Sequence, residues 1–108
     1  MGRAQRSKGS RTERHLVDDL RACGIPASRI SRTGYSGPDL DIAGQFLAEV
    51  KARKSGSGFT QLETWLGTAD VLLLKRDRQP PMVTLTWAAF VLLMRRYVEA
   101  ERAALPPT

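Results

Sequence analysis

The chain reads as an α/β protein, a single small domain with a mixed central β-sheet flanked by helices. Three observations predict this class. Its 108 residues suit one domain. Segments with a helical apolar period open the chain, interrupt its middle and close it. Between them lie short apolar or alternating runs bounded by Gly, Pro and Asp, which read as strands. The predicted order is helix, three strands, helix, two strands, helix, with the helices covering the sheet faces.

Each element follows from local pattern. Residues 1–9 are polar and basic and are expected to form a flexible arm, with the folded domain running from 10 to 104. Ser10-x-x-Glu13 reads as a capping box that opens the first helix. Leu16, Val17 and Leu20 form its apolar stripe, and Gly24 suits the position just past its end. Residues 27–33 read as the first strand, and Gly34-Tyr35-Ser36-Gly37 as a loop. A hairpin over 39–43 and 46–53 follows, turning at Ala43-Gly44-Gln45. A three-residue turn there sets Ile42 opposite Phe46 and Asp39 opposite Glu49. Ser55-Gly56-Ser57-Gly58 is a flexible link into a helix over 60–66, with Leu62, Trp65 and Leu66 on one side. Val71-Leu72-Leu73-Leu74 is a continuous apolar run, the pattern of a buried central strand. Residues 82–86 alternate as an edge strand would. A last helix from Trp87 to about Glu101 carries Phe90, Val91, Met94 and Val98 as its stripe. Its apolar content leaves surface to spare in so small a domain.

Charge and cysteine content narrow the function. The net charge is +6 and the isoelectric point about 10.2, which favours a polyanionic partner. Up to Arg32, eight basic and three acidic residues account for +5 of that +6. One cysteine excludes an intramolecular disulfide framework and argues against a Cys-based zinc site. No run approaches the roughly 20 apolar residues of a membrane span, and no signal-peptide pattern opens the chain. The expected location is the cytoplasm, or a host cytoplasm if the chain is viral. His15 is the only histidine and lies off the apolar stripe, so it reads as a surface residue.

The chemistry concentrates in Gly37-Pro38-Asp39-Leu40-Asp41-Ile42 and Ala48-Glu49-Val50-Lys51. Alternation along a strand points Glu49 and Lys51 the same way, with Val50 inward. Asp39, Asp41, Glu49 and Lys51 thus gather on one face of a two-stranded ribbon. Hard carboxylate oxygens suit Mg²⁺, which keeps several of its own waters. Such an ion offsets phosphate charge and activates water for phosphodiester hydrolysis, and a lysine stabilises the charge that develops. Glu13 shares the helical face of Leu16, Val17 and Leu20, where a carboxylate needs a partner or a metal. Spacing alone leaves it open between a cap residue and a ligand. The basic residues Arg6, Lys8, Arg11, Arg14, Arg29, Arg32, Arg53 and Lys54, with Ser10, are candidate phosphate contacts.

The order of elements, together with Lys8-Gly9-Ser10-Arg11-x-x-Glu13-Arg14-x-Leu16-Val17, Gly24-Ile25, Arg29, Gly34, Pro38-Asp39 and Glu49-Val50-Lys51, resembles the PD-(D/E)xK nuclease superfamily. This part is similar to archaeal-type Holliday junction resolvases. Ala69-Asp70-Val71-Leu72-Leu73-Leu74-Lys75-Arg76, Val83-Thr84-Leu85 and Phe90 are similar to small phage and prophage endonucleases of the same superfamily. The resemblance covers about 80 residues and implies an αβββαβ restriction-endonuclease-like core.

The resemblance also implies roles. Glu13, Asp39 and Glu49 would hold Mg²⁺ or Mn²⁺, with the Val50 carbonyl also available. Lys51 would orient the water or steady the transition state. Asp41 departs from the pattern and stands between a spare ligand and a solvated turn residue. Gln61 stands between a polar site residue and an exposed helix residue. The implied activity is a metal-dependent, structure-selective DNA endonuclease acting on four-way junctions as a C2 homodimer. Two other readings share these residues. One is a nickase or restriction-like nuclease, and the other a catalytically inactive DNA-binding relative. With no room for a separate sequence-reading domain, recognition of DNA shape is expected over base readout.

Overall fold

A computed structural model describes residues 2–30, 37–53 and 57–106, with the side chains of 9–30, 37–53 and 58–106. The elements are α1 (Gly2–Ala22), β1 (Ala27–Arg29), β2 (Leu40–Ile42), β3 (Phe46–Ala48), α2 (Ser57–Leu66), β4 (Val71–Leu74), β5 (Met82–Leu85) and α3 (Trp87–Ala104). This is the order expected from the sequence. The chain is α/β, with three helices and two antiparallel sheets among the described residues. It divides into two compact units, residues 1–52 with 95–108, and residues 53–94.

The first unit is built on β1-β2-β3 with α1 packed on β1. α1 begins at Gly2, eight residues before the expected cap. Ser10 and Glu13 are therefore interior helix residues, and the capping-box reading is corrected. The segment before Ser10 holds the helical backbone and supplies the first turns. The far end of α1 is as expected. Ile25 N donates to Leu20 O at 2.9 Å and Gly24 N to Arg21 O at 3.0 Å. With Gly24 at φ 83, this is a Schellman closure, which needs a left-handed residue just past the helix. Leu20 and Ile25, the apolar pair of that motif, are both fully buried. Val17, Ala27, Leu40, Ile42 and Val98 complete the unit's buried set.

β2 lies between its neighbours, so Leu40 and Ile42 point inward and half-buried Asp41 points away. Ile42 pairs with Phe46, Asp41 with Leu47 and Leu40 with Ala48, the register expected from the turn length. Ala43 and Gly44 both take left-handed backbone, at φ 59 and φ 66, and Gln45 N closes the turn on Ile42 O at 3.1 Å. The hairpin strands are shorter than the sequence suggests. β3 ends at Ala48, so Glu49 to Lys51 continue past the ladder. β1 runs from Ala27 to Arg29, Ile30 N donates to Asp39 O at 2.9 Å, and residues 31–33 of the expected strand lie outside the described residues.

In the second unit α2 packs on β4, which pairs with β5 from Val71↔Leu85 to Leu74↔Met82. α2 starts at Ser57, so Ser57 and Gly58 of the expected link are helical. Among the described residues every strand pairing is antiparallel, in a three-stranded and a two-stranded sheet, where the sequence suggests one mixed sheet. The short connection from Leu74 to Met82 returns β5 directly beside β4, which only an antiparallel pair permits. β4 is not a buried central strand: Val71 and Leu73 are exposed, Leu73 by 70%. A continuous apolar run needs cover on both faces to be buried, and a two-stranded sheet does not provide it. α3 is capped by Thr86, whose Oγ1 accepts from Ala89 N at 3.1 Å. Met94 and Val98 of its stripe are buried, while Leu92 and Leu93 are exposed. Among the described residues no helix is long and apolar enough to cross a membrane.

Candidate active site

Asp39 is held from three directions. Pro38 before it donates no backbone hydrogen bond and favours extended chain. Asp39 N donates to Ala48 O at 2.8 Å, and Asp39 O accepts from Ile30 N. The carboxylate then reaches across the hairpin, where Oδ2 accepts from Val50 N at 2.7 Å. That bond lies just where the β2–β3 ladder stops, and it satisfies an amide that has left the sheet. It also sets the Asp of Pro38-Asp39 against the middle residue of Glu49-Val50-Lys51. Beside it Lys51 Nζ lies 3.7 Å from Glu49 Oε2, both side chains largely in solvent. Glu49 and Lys51 thus project together, as strand alternation predicts, although neither lies in an assigned strand.

Glu13 has a different partner. Its side chain is 18% exposed, at the edge of the stripe formed by Leu16, Val17 and Leu20. Arg29 Nε lies 3.4 Å from Glu13 Oε1, and Arg29 Nη2 donates to Ser10 Oγ at 3.2 Å. Residue spacing put Glu13 on an apolar face in need of a partner, and Arg29 of β1 is that partner. The guanidinium joins α1 to β1 through two side chains one turn apart. This places Ser10 and Arg29, both read from sequence as phosphate contacts, in an internal clamp. A single sequence offers no direct sign of that link, because 16 residues separate Arg29 from Glu13.

Asp41 has a turn role. Its Oδ1 accepts from Gly44 N at 2.9 Å, the local bond by which an Asp stabilises a reversal. Arg11 and Arg14 are exposed on α1. Arg6 and Lys8 belong to the same helix, with their side chains outside the described residues. Arg32 and Lys54 lie outside the described residues altogether. Arg53 and Gln61 are exposed residues of the second unit, Gln61 on α2.

The donor set at the end of the hairpin fits a hard divalent cation. It consists of the carboxylate of Asp39, which accepts from Val50 N, and that of Glu49, the residue before Val50. Among the described residues, no three His, Cys, Asp or Glu side chains group closely enough to hold a metal ion. Glu13 is engaged by Arg29 rather than drawn to the other two acids. The hairpin end thus carries Asp39 bonded to the backbone amide of Val50, with Glu49 and Lys51 on either side of Val50 in sequence and within 3.7 Å of each other. No protein-family model, curated protein or solved structure matches the chain.

Proposed function

We propose that the chain is a metal-dependent DNA endonuclease of PD-(D/E)xK type that hydrolyses phosphodiester bonds in branched DNA, four-way junctions first among them. One observation carries the reading: the 2.7 Å bond from Val50 N to Asp39 Oδ2. It joins the two halves of the Pro-Asp…Glu-x-Lys pattern, which lie eleven residues apart in sequence. A restriction-endonuclease-like core belongs to this reading, as do a homodimer and a cytoplasmic location.

Asp39, Glu49 and the Val50 carbonyl would hold Mg²⁺ or Mn²⁺, with Glu13 as the further acid. Such an ion, when bound, neutralises phosphate charge and lowers the pKa of water. The residues themselves do the rest. Asp39 restrains the backbone at Val50 through its amide. Glu49 supplies a carboxylate on a segment free of the ladder. Lys51 brings an exposed ammonium to the same end of the hairpin, where it can donate to a phosphate oxygen as charge builds there. Arg11 and Arg14, exposed on α1, add positive charge for the DNA backbone.

The test is cleavage of a labelled four-way junction beside matched linear, nicked and single-stranded DNA. Mg²⁺ is compared with chelator, and Lys51→Ala with the unaltered chain. Paired symmetric cuts in the junction alone, lost in the variant, are expected. Equal cutting of all substrates would replace the resolvase reading with a general nuclease or nickase. Binding without metal-dependent cutting would leave a DNA-binding protein.

A further inference from the structure

The second unit contains a groove that the proposed chemistry does not use. It has a volume of about 580 Å³ and runs between α2 and the β4–β5 hairpin. Trp65, Leu74, Pro80, Pro81 and Met82 supply apolar wall, and Lys75, Arg76 and Gln79 supply the polar groups. No acid lines it. Trp65 is 57% exposed and Met82 69%, so the wall is open to a ligand. The connecting loop is shaped at its turn: Gln79 N donates to Arg76 O at 3.2 Å, and Arg78 takes φ 62. A left-handed arginine is unfavourable, and here it tightens the turn that carries Arg76 and Gln79 to the groove.

The lining selects a ligand by elimination. A purely aliphatic ligand makes no use of Lys75 and Arg76, both exposed at the groove, Lys75 Nζ donating to Arg76 O at 2.7 Å. A small inorganic anion leaves the indole and the prolines unused. A nucleotide with an unpaired base uses every part. Its π-face stacks on Trp65, its phosphates meet Lys75 and Arg76, and Gln79 offers both a donor and an acceptor to the base edge. A paired base inside a duplex has no free face to give. We infer that this groove is a stacking site for an unpaired nucleobase of single-stranded DNA, with Trp65 as the platform and Lys75 and Arg76 as the phosphate contacts. The inference rests on the proposed reading only in taking DNA as the polyanion. It adds that the chain holds a strand end or an opened branch point outside the hydrolytic site.

The probe is a short oligothymidylate, titrated against the full chain in chelator so that no metal-dependent cutting occurs. A Trp87→Phe background leaves Trp65 as the only reporting indole. Saturable quenching of its fluorescence is expected. Trp65→Ala is expected to weaken binding about tenfold, within the usual effect of removing a stacking aromatic. Trp65→Phe should recover part of that loss. An abasic strand with the same phosphates should bind both forms equally, and Arg76→Ala should weaken both strands alike. Equal affinity of the unaltered chain for abasic and thymidine strands would overturn the inference. So would oligothymidylate binding unchanged by Trp65→Ala. Self-association abolished by Trp65→Ala, with DNA binding untouched, would make the groove an interface between copies and also overturn it. Failure of the nuclease reading is separate: a chain that never cuts DNA can still show Trp65-dependent quenching, and one that cuts can lack it.

Discussion

The two hairpins of this chain contrast sharply. β2–β3 has modest apolar content, yet Leu40 is 2% exposed and Ile42 is also buried. β4–β5 includes the most continuous apolar strand in the sequence, yet Leu73 and Met82 are about as exposed as surface residues. The difference comes from neighbours. β2 has a strand on each side and lies in the sheet on which α1 packs. β4 has one partner strand and α2. Burial holds the first hairpin in one register, and that register delivers Asp39 to Val50. The second hairpin instead offers apolar and cationic side chains outward, as a binding surface does. Hydrophobic sequence alone therefore does not mark where the buried part of the molecule lies.

The largest expected effect separates chemistry from scaffold at one residue. Asp39→Asn keeps an oxygen that accepts from Val50 N but removes the charge. Stability should stay near that of the unaltered chain while metal-dependent cleavage falls by about 100-fold or more. Denaturant melts and cleavage rates on the same preparation check this pair. If both fall together, Asp39 is a structural residue first.

Next comes the hairpin contrast itself. Leu40→Ala should destabilise by about 2–5 kcal/mol, since it leaves a cavity in a packed core. Leu73→Ala should change stability by no more than about 0.5 kcal/mol, as expected of an exposed position. Urea unfolding of the two variants reads the difference directly. Comparable losses would mean that β4 is covered in solution.

Smaller effects test the local devices. Ala43 occupies a left-handed position before Gly44, and Asn tolerates that conformation better than Ala. Ala43→Asn should raise stability by about 0.5–1 kcal/mol, seen as a higher midpoint in thermal unfolding. Arg29→Ala should cost about 0.5–1 kcal/mol, because Arg29 is 36% exposed and the pair with Glu13 is screened by solvent. A much larger loss would show that the Ser10–Arg29–Glu13 clamp holds α1 to β1 more firmly than its exposure implies.

How much of this was readable beforehand depends on how local each cause is. The order of elements, the Gly24 helix stop, the Ile42–Phe46 register and the inward face of α3 all follow from patterns within a few residues. The start of α1 did not, because Ser10-x-x-Glu13 has the composition of a cap and yet both side chains answer to Arg29 on β1. Asp41 stands in the sequence between a spare ligand and a turn residue, and the amide of Gly44 gives it the turn role. The burial of β4 was misread because a run of leucines shows that a strand is apolar and not what covers it. Of the candidate site, Asp39, Glu49 and Lys51 are legible by pattern, and the fold adds the bond from Val50 N to Asp39 and the closeness of Lys51 to Glu49. The bond between Asp39 and Val50 needed the fold, since it depends on where β3 ends.

The most direct measurement is the rate of junction cleavage against Mg²⁺ concentration for the unaltered chain and Glu49→Gln, with DNA binding measured in parallel. Glu49 is exposed and outside the ladder, so its loss should leave fold and binding intact. Under the nuclease reading, cleavage rises and saturates with Mg²⁺ in the unaltered chain and is abolished in Glu49→Gln, with binding equal in both. Cleavage that persists in Glu49→Gln, or an unaltered chain that binds DNA without cutting at any Mg²⁺ concentration, would contradict it.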